Sequence, residues 1–322
     1  MAYLGVDIGG TKTIVAIADD SGEIIGLRRL ITPRGEGPAR VLGEIEASLQ
    51  SLIEETVAEK IYCIAIGCGG PLDREKGIIL TAPNLPGWDN LPLSAYFENA
   101  FGVRTIIDND VNLMALGEAV KGAGSGVDYM AYFNIGTGIG GGIVINGRLY
   151  RGCGNAGEFG HQIILPEGPR CLCGRHGCLE ALASGTSIAR RARECKDISR
   201  SAIIRYATSA ASITAEHVAL AARDGDELAL RIWRETGEYL GLGVANVVNI
   251  LNPRLVIIGG GVANAGDLLF EPVRRTVATR AMKRLASDVT ILPGSLGEKA
   301  GIIGAIQLAM ESHLSNREEA TK

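Results

Sequence analysis

Apolar and polar positions along the first sixty residues alternate between the two periods that distinguish strands from helices. Tyr3 to Asp7 and Thr13 to Ala18 are apolar runs of strand length, and a third follows the turn Asp20-Ser21-Gly22, which predicts an antiparallel meander. From about Pro38 to Ala58 the period lengthens: Val41, Leu42, Ile45, Leu49, Leu52 and Ile53 fall on one stripe and predict an amphipathic helix. The run from Ile61 to Gly67 returns to strand. Ile78 to Leu80 and Arg104 to Asp108 predict two more strands, separated by a loop rich in Pro and Asn, and a helix begins just after Asp110.

The second half echoes the first. VDIGGTKTIVAI (Val6 to Ile17) and FNIGTGIGGGIVI (Phe133 to Ile145) share one plan: an apolar strand, a polar residue, Ile-Gly, a turn of Gly and Thr, and a second strand. Such self-similarity reads as a duplicated unit. Beyond the second copy the pattern predicts a helix from about Asp226 to Leu251, a strand ending at Gly259-Gly260-Gly261, and a helix from about Asp267. A short strand from Val289 to Leu292 and a final helix from Gly297 complete it. Strands first and helices after, twice over, predict two α/β domains facing one another across a cleft. The smaller covers 1–118, and the terminal helix 298–322 is a candidate to pack back on it; the larger covers 119–297.

Composition narrows the function. Lys plus Arg number 32 against 36 for Asp plus Glu, a net charge of -4, so there is no basic excess for gripping nucleic acid. No apolar run approaches the roughly 20 residues that cross a bilayer, and Met1 to Asp7 lacks the basic segment of a secretion signal, so a cytoplasmic protein without membrane partners is expected. Glycine is the unusual count, 44 of 322 residues and about twice the ordinary share. Much of it clusters in turns where bare backbone can approach a ligand.

Two of those turns carry chemistry. Asp7, Gly9, Gly10, Thr11, Lys12 and Thr13 form a strand-to-strand turn whose amides and hydroxyls suit an anion, with Asp7 able to face a metal-bound water. The spacing is not that of a phosphate-binding loop that opens a helix. Gly136-Thr137-Gly138-Ile139-Gly140-Gly141 matches the spacing of a dinucleotide fingerprint, but a strand follows where that motif needs a helix. Both are therefore expected to be glycine hairpins closing on a polyphosphate. Gly260 and Gly261, between a strand and a helix, offer bare backbone to a flat ring or ribose.

Asp110 stands at a strand end, where it can cap the following helix and equally serve as general base toward an alcohol. His161, Cys171, Cys173 and Cys178 supply one imidazole and three thiolates, a set suited to a tetrahedral zinc with no open position and hence a structural one; His176 lies inside the cluster as a rival ligand.

Taken together, DIGGTKT (Asp7 to Thr13), IDND (Ile107 to Asp110), NIGTGIGGG (Asn134 to Gly142), GNAGEFGH (Gly154 to His161), CLCGRHGCLE (Cys171 to Glu180) and the GGG after RLVII resemble the ROK family of sugar kinases, its glucokinases above all. The resemblance runs nearly end to end. It implies an α/β, two-domain, actin-like ATPase (ribonuclease H-like) fold, ATP with Mg²⁺, and structural Zn²⁺ on His161, Cys171, Cys173 and Cys178. It further implies that Asp110 takes the proton of a hexose 6-hydroxyl, glucose first, while Asn84, Asn109, Glu158, His161 and Glu180 hold the other hydroxyls. N-acetylmannosamine, N-acetylglucosamine, mannose and fructose are the alternative substrates. A homodimer or higher homo-oligomer is implied as well. A sugar-responsive repressor of the same family is disfavoured, because the first strand begins at Tyr3 and the balance of charge is acidic. One departure stands out: Asp108 occupies the place where many relatives carry Glu.

Overall fold

The structure, a computed structural model, describes residues 1–33, 35–82 and 84–320, the side chains of 315–320 excepted. The chain begins with the predicted meander, β1 (Ala2–Ile8), β2 (Lys12–Ala18) and β3 (Ile24–Ile31). Helix α1 (Gly37–Glu55) lays Val41, Leu42, Ile45, Leu49 and Leu52 into the core, and Pro38 sits in its first turn, where a missing N–H costs nothing. Strand β4 (Ile61–Cys68) follows. The apolar run from Ile78, predicted as a strand, is half of a small antiparallel pair apart from the five-stranded sheets, β5 (Leu72–Asp73) with β6 (Ile78–Ile79). Helix α2 (Leu93–Phe101) then leads to β7 (Thr105–Asn109) and α3 (Asp110–Lys121).

The echo comes next, as β8 (Tyr129–Ile135), β9 (Ile139–Ile145) and β10 (Arg148–Leu149). Helices α4 (Leu179–Ala183), α5 (Gly185–Glu194), α6 (Ile203–Tyr206), α7 (Ala215–Arg223) and α8 (Glu227–Leu251) precede β11 (Leu255–Gly259). Asp226 caps α8 by accepting from the Ala229 amide at 2.9 Å, so the helix starts one residue after the polar position that signals it. The glycine run after β11 enters a 3-10 turn, Gly261–Ala265, before α9 (Asp267–Arg280). Helix α10 (Lys283–Asp288), β12 (Thr290–Pro293) and α11 (Ala300–Ala320) end the chain.

By packing density the chain forms two compact units. The first contains 1–126, 142–156 and 298–322; the second contains 127–141 and 157–297. In the first, five strands run in the order β3-β2-β1-β4-β7, antiparallel through the meander and parallel from β1 to β7. One face of this sheet meets α1 through Leu4, Val6, Ile8, Ile64 and Ile66, and the other meets α3 and α11 through Leu113, Leu116, Ile306 and Ala309. The other five-stranded sheet has the order β10-β9-β8-β11-β12, and β11 is parallel to both β8 and β12. Ligands of open α/β sheets gather at the carboxyl ends of parallel strands. In the first unit those ends bring Asp7, Gly67 and Asp108 into one row across β1, β4 and β7.

Candidate active site

The row Asp7, Gly67, Asp108 organises the first unit's chemistry. Gly67 places no side chain between its neighbours: a Cβ there would lie 3.6 Å from both the Asp7 Oδ1 and the Asp110 Cα, so the gap lets the two carboxylates sense one another. At the junction of β7 and α3 the structure corrects one expectation. Asn109, not Asp110, caps the helix: its Oδ1 accepts from the Val111 amide at 2.9 Å and the Asn112 amide at 3.4 Å. Asp110 is the first residue of the helix itself, with its Oδ1 2.9 Å from the Val111 nitrogen.

Asp108, flanking the pair, is fully buried. Its Oδ1 accepts from the Asn109 amide at 2.8 Å and from Asn112 Nδ2 at 2.9 Å. Its Oδ2 lies 2.6 Å from Arg151 Nε and 3.1 Å from Arg74 Nε. Nothing local in the sequence announces these arginines, which arrive from the turn after β5 and the segment after β10.

In the hairpin between β1 and β2 the Gly9 amide donates to the Lys12 carbonyl at 2.9 Å, closing the turn. Asp7 lies beneath it, against Gly67 and against Gly301 in the first turn of α11, where a β-carbon would collide with its carboxylate. Burial, then repulsion from Asp110, push the Asp7 pKa up to about 7 against a smaller lowering by Lys12. Lys12 pairs with Glu298 at the surface. Asn84 is exposed in the loop between β6 and α2.

The second unit carries the other hairpin and a cavity of about 650 Å³ beside it, lined in part by Gly136, Thr137, Thr186, Arg193, Arg223 and Gly261. A cavity of that size accommodates a nucleoside. The Gly136 amide donates to the Gly138 carbonyl at 2.9 Å. The amide of Gly185 at the start of α5 donates to the Gly136 carbonyl at 2.8 Å, and Thr186 Oγ1 donates to the Thr137 carbonyl at 2.7 Å. Gly260, at φ +85°, passes so close to the Ile135 carbonyl that a side chain there would strike it.

His161, Cys171, Cys173 and Cys178 bring four ligand atoms within 4.8 Å of one another. Cys173 Sγ and Cys178 Sγ are 3.7 Å apart, and Cys171 Sγ is 3.8 Å from His161 Nδ1. Ligand bonds of the usual zinc lengths, arranged tetrahedrally, demand edges of about 3.6–3.8 Å, which these two pairs match, so the donor set is compatible with that ion. Hydrogen bonding from the backbone of Arg175 draws the Cys173 thiol down to about 6, which favours the ligating thiolate. The rival His176 turns its Nδ1 to the Gly168 carbonyl at 3.1 Å. His161 divides its ring: Nδ1 faces the thiols, and Nε2 lies 3.8 Å from Glu158 Oε2. Glu180 joins the cluster to the hairpin, with Oε1 3.8 Å from Cys171 Sγ and Oε2 accepting from the Ile139 amide at 2.9 Å.

Two α/β units, each opening on a strand, a glycine turn and a second strand, constitute the two-domain actin-like ATPase fold of sugar-phosphorylating enzymes. The model of the ROK family matches residues 3–312, and the chain belongs to that family. It is 38% identical to a glucokinase of Thermotoga maritima over 97% of this chain and 98% of that one. A xylose repressor of Caldicellulosiruptor bescii is 32% identical over 99% of this chain, which spans 80% of the repressor's length. Among solved structures, the ROK glucokinase of Streptomyces griseus in complex with glucose and AMPPNP superposes with a TM-score of 0.80 at 32% identity, covering 97% of this chain and 100% of that one. The ROK hexokinase of Thermus thermophilus does so with a TM-score of 0.81 at 32% identity, covering 99% and 100%.

Proposed function

We propose that the protein transfers the γ-phosphoryl group of ATP to the 6-hydroxyl of glucose, giving glucose 6-phosphate and ADP. The observation that carries this reading is its likeness, over nearly its whole length, to a glucokinase captured with glucose and a non-hydrolysable ATP analogue. Greater identity to another glucokinase supports the same substrate.

Within that reading Asp110 accepts the proton of the 6-hydroxyl as the oxygen attacks phosphorus, and Asn109 offers its amide nitrogen to a neighbouring hydroxyl while its oxygen caps α3. Asn84, Glu158, His161 and Glu180 hold the remaining hydroxyls through directional, partly charge-assisted hydrogen bonds. The hairpin amides at Gly9, Gly10, Gly136 and Gly138, with Thr11, Lys12, Thr13 and Thr137, hold phosphate oxygens, and Gly260 and Gly261 lie along the nucleoside. Mg²⁺ when bound neutralises charge on the phosphates, and Asp7 is the carboxylate placed to orient its waters. His161 and the three cysteines would hold zinc, which would fix the ring and leave Nε2 free to face a sugar hydroxyl. A cytoplasmic address and a homo-oligomeric assembly belong to the same proposal.

The test is ADP release measured over a panel of hexoses and N-acetylhexosamines. Glucose is expected to give the largest kcat/KM. A preference of an order of magnitude or more for an N-acetylated sugar would replace the substrate assignment.

A further inference from the structure

The buried environment of Asp108 holds a concentration of charge that the phosphoryl transfer as described does not use. Among the described residues, buried side-chain polar atoms without a hydrogen-bond partner include Arg74 Nε, Arg151 Nη2 and Asn112 Oδ1, and all three belong to residues that meet Asp108. Buried polar groups are usually satisfied, because leaving one unpaired costs its hydration. Proteins tolerate such clusters where function requires them.

The connectivity shows what is gained. Asp108 divides its two oxygens between two tasks. Oδ1 receives the Asn109 amide and Asn112 Nδ2, one on each side of Asp110 in sequence, and so grips the strand-to-helix turn that carries the base. Oδ2 accepts a hydrogen bond from Arg151 Nε and forms an ion pair with Arg74, whose Nε lies 3.1 Å away outside hydrogen-bonding geometry. The arginines come from the β5–β6 pair and from the segment after β10, so three separate stretches of the first unit converge on one carboxylate. Aspartate suits the position because its short side chain reaches the amide of the very next residue. A glutamate would carry the carboxyl one methylene further from that amide and toward the arginines.

We infer that Arg74, Asp108 and Arg151 are positioning residues: the two guanidiniums fix the Asp108 carboxylate, which in turn holds the Asn109–Asn112 turn so that Asp110 keeps its direction toward the acceptor hydroxyl. The inference rests on the assignment of Asp110 as base. Placing that base within a fraction of an ångström governs turnover far more than ground-state binding. Neither arginine needs to touch sugar or nucleotide.

Arg151→Gln and Arg151→Lys, with Arg74→Gln beside them, test it through two readouts. In steady-state kinetics Arg151→Gln is expected to lower kcat about tenfold while KM for glucose and for ATP stays within about twofold, the split that marks loss of an interaction felt in the transition state. Lys restores charge without the planar Nε–H and should recover only part. Guanidinium ion at low millimolar concentration should raise the turnover of Arg151→Ala and leave wild type unchanged. Independently of activity, hydrogen exchange should quicken at the Asn109 to Asn112 amides and not across the rest of the first unit. Wild-type kcat in Arg151→Gln with unchanged exchange there would overturn the inference. So would a kcat loss matched by exchange quickened throughout the chain, the mark of plain destabilisation. Absence of hexose-dependent ADP release by wild type would sink the phosphotransfer reading, and the exchange measurement would still decide whether the cluster holds the turn.

Discussion

The two glycine hairpins follow one plan, yet the polar residue that precedes Ile-Gly differs between them. In the first the last strand residue but one is Asp7 and in the second it is Asn134, each followed by Ile-Gly. Asp7 is packed against glycines, and burial together with repulsion from Asp110 raises its pKa to about 7. Asn134 is uncharged, lies in register with Gly259 at the end of β11, and its hairpin borders a cavity of nucleoside size. The first hairpin therefore carries an ionisable carboxylate at this position, and the second a neutral amide beside the cavity.

The largest expected effect breaks this comparison on its charged side. Asp110→Ala should lower kcat by at least about 10²-fold, since a positioned general base contributes that much or more. The melting temperature should change little, because Asn109 keeps the cap of α3. Near-normal turnover would take Asp110 out of the proposed chemistry.

Next in size is the metal loop of the second unit. Cys173→Ser should reduce bound zinc, measured by elemental analysis, from about one per chain to near none, because one of four ligands is lost. Glucose affinity by calorimetry should fall with it, through the fixed ring of His161. Retained affinity without metal would confine zinc to stability.

On the neutral side, Gly260→Ala should cost about 1–3 kcal/mol of stability by denaturant unfolding, since its φ of +85° and the nearby Ile135 carbonyl leave no room for a β-carbon. Its KM for ATP should rise more than its KM for glucose. An equal rise in both would separate this turn from the nucleotide.

Much of this comparison is legible in the amino-acid sequence, because periodicity is local. The meander, the stripe of α1, the echo at Phe133 and the zinc ligand spacing all follow from neighbours within a few residues. Sequence and fold part company where geometry beyond the local pattern decides. Ile78 has the composition of a sheet strand, but it pairs with Asp73 in a small hairpin apart from the main sheet. Asp110 has the chemistry of a helix cap, yet Asn109 lies in the extended conformation that a cap requires and Asp110 already has the helical one. Arg74 and Arg151 are far from Asp108 along the chain, and no spacing rule joins them. The departure from Glu at Asp108 is visible in the sequence, but its meaning depends on those arginines.

The smallest effect tests the asymmetry of the hairpins most directly. With a folded-state pKa near 7 against an ordinary carboxyl value of 3.8, native Asp7 keeps a proton that the unfolded chain releases. Its contribution to stability is thus full below about pH 4 and is lost as the pH climbs through 7, where the buried group must ionise beside Asp110. Asp7→Asn removes that titration and leaves the shape nearly unchanged. In the absence of nucleotide and divalent cation, the variant's stability relative to wild type should therefore rise between about pH 5 and pH 8, by about 1 kcal/mol or more in urea titrations. Asn134→Asp, the reverse change in the other hairpin, should introduce a pH dependence where none is expected now. A flat difference for Asp7→Asn would mean that Asp7 is ionised in the native state at every pH tested, and that its hairpin is no more charge-strained than its partner.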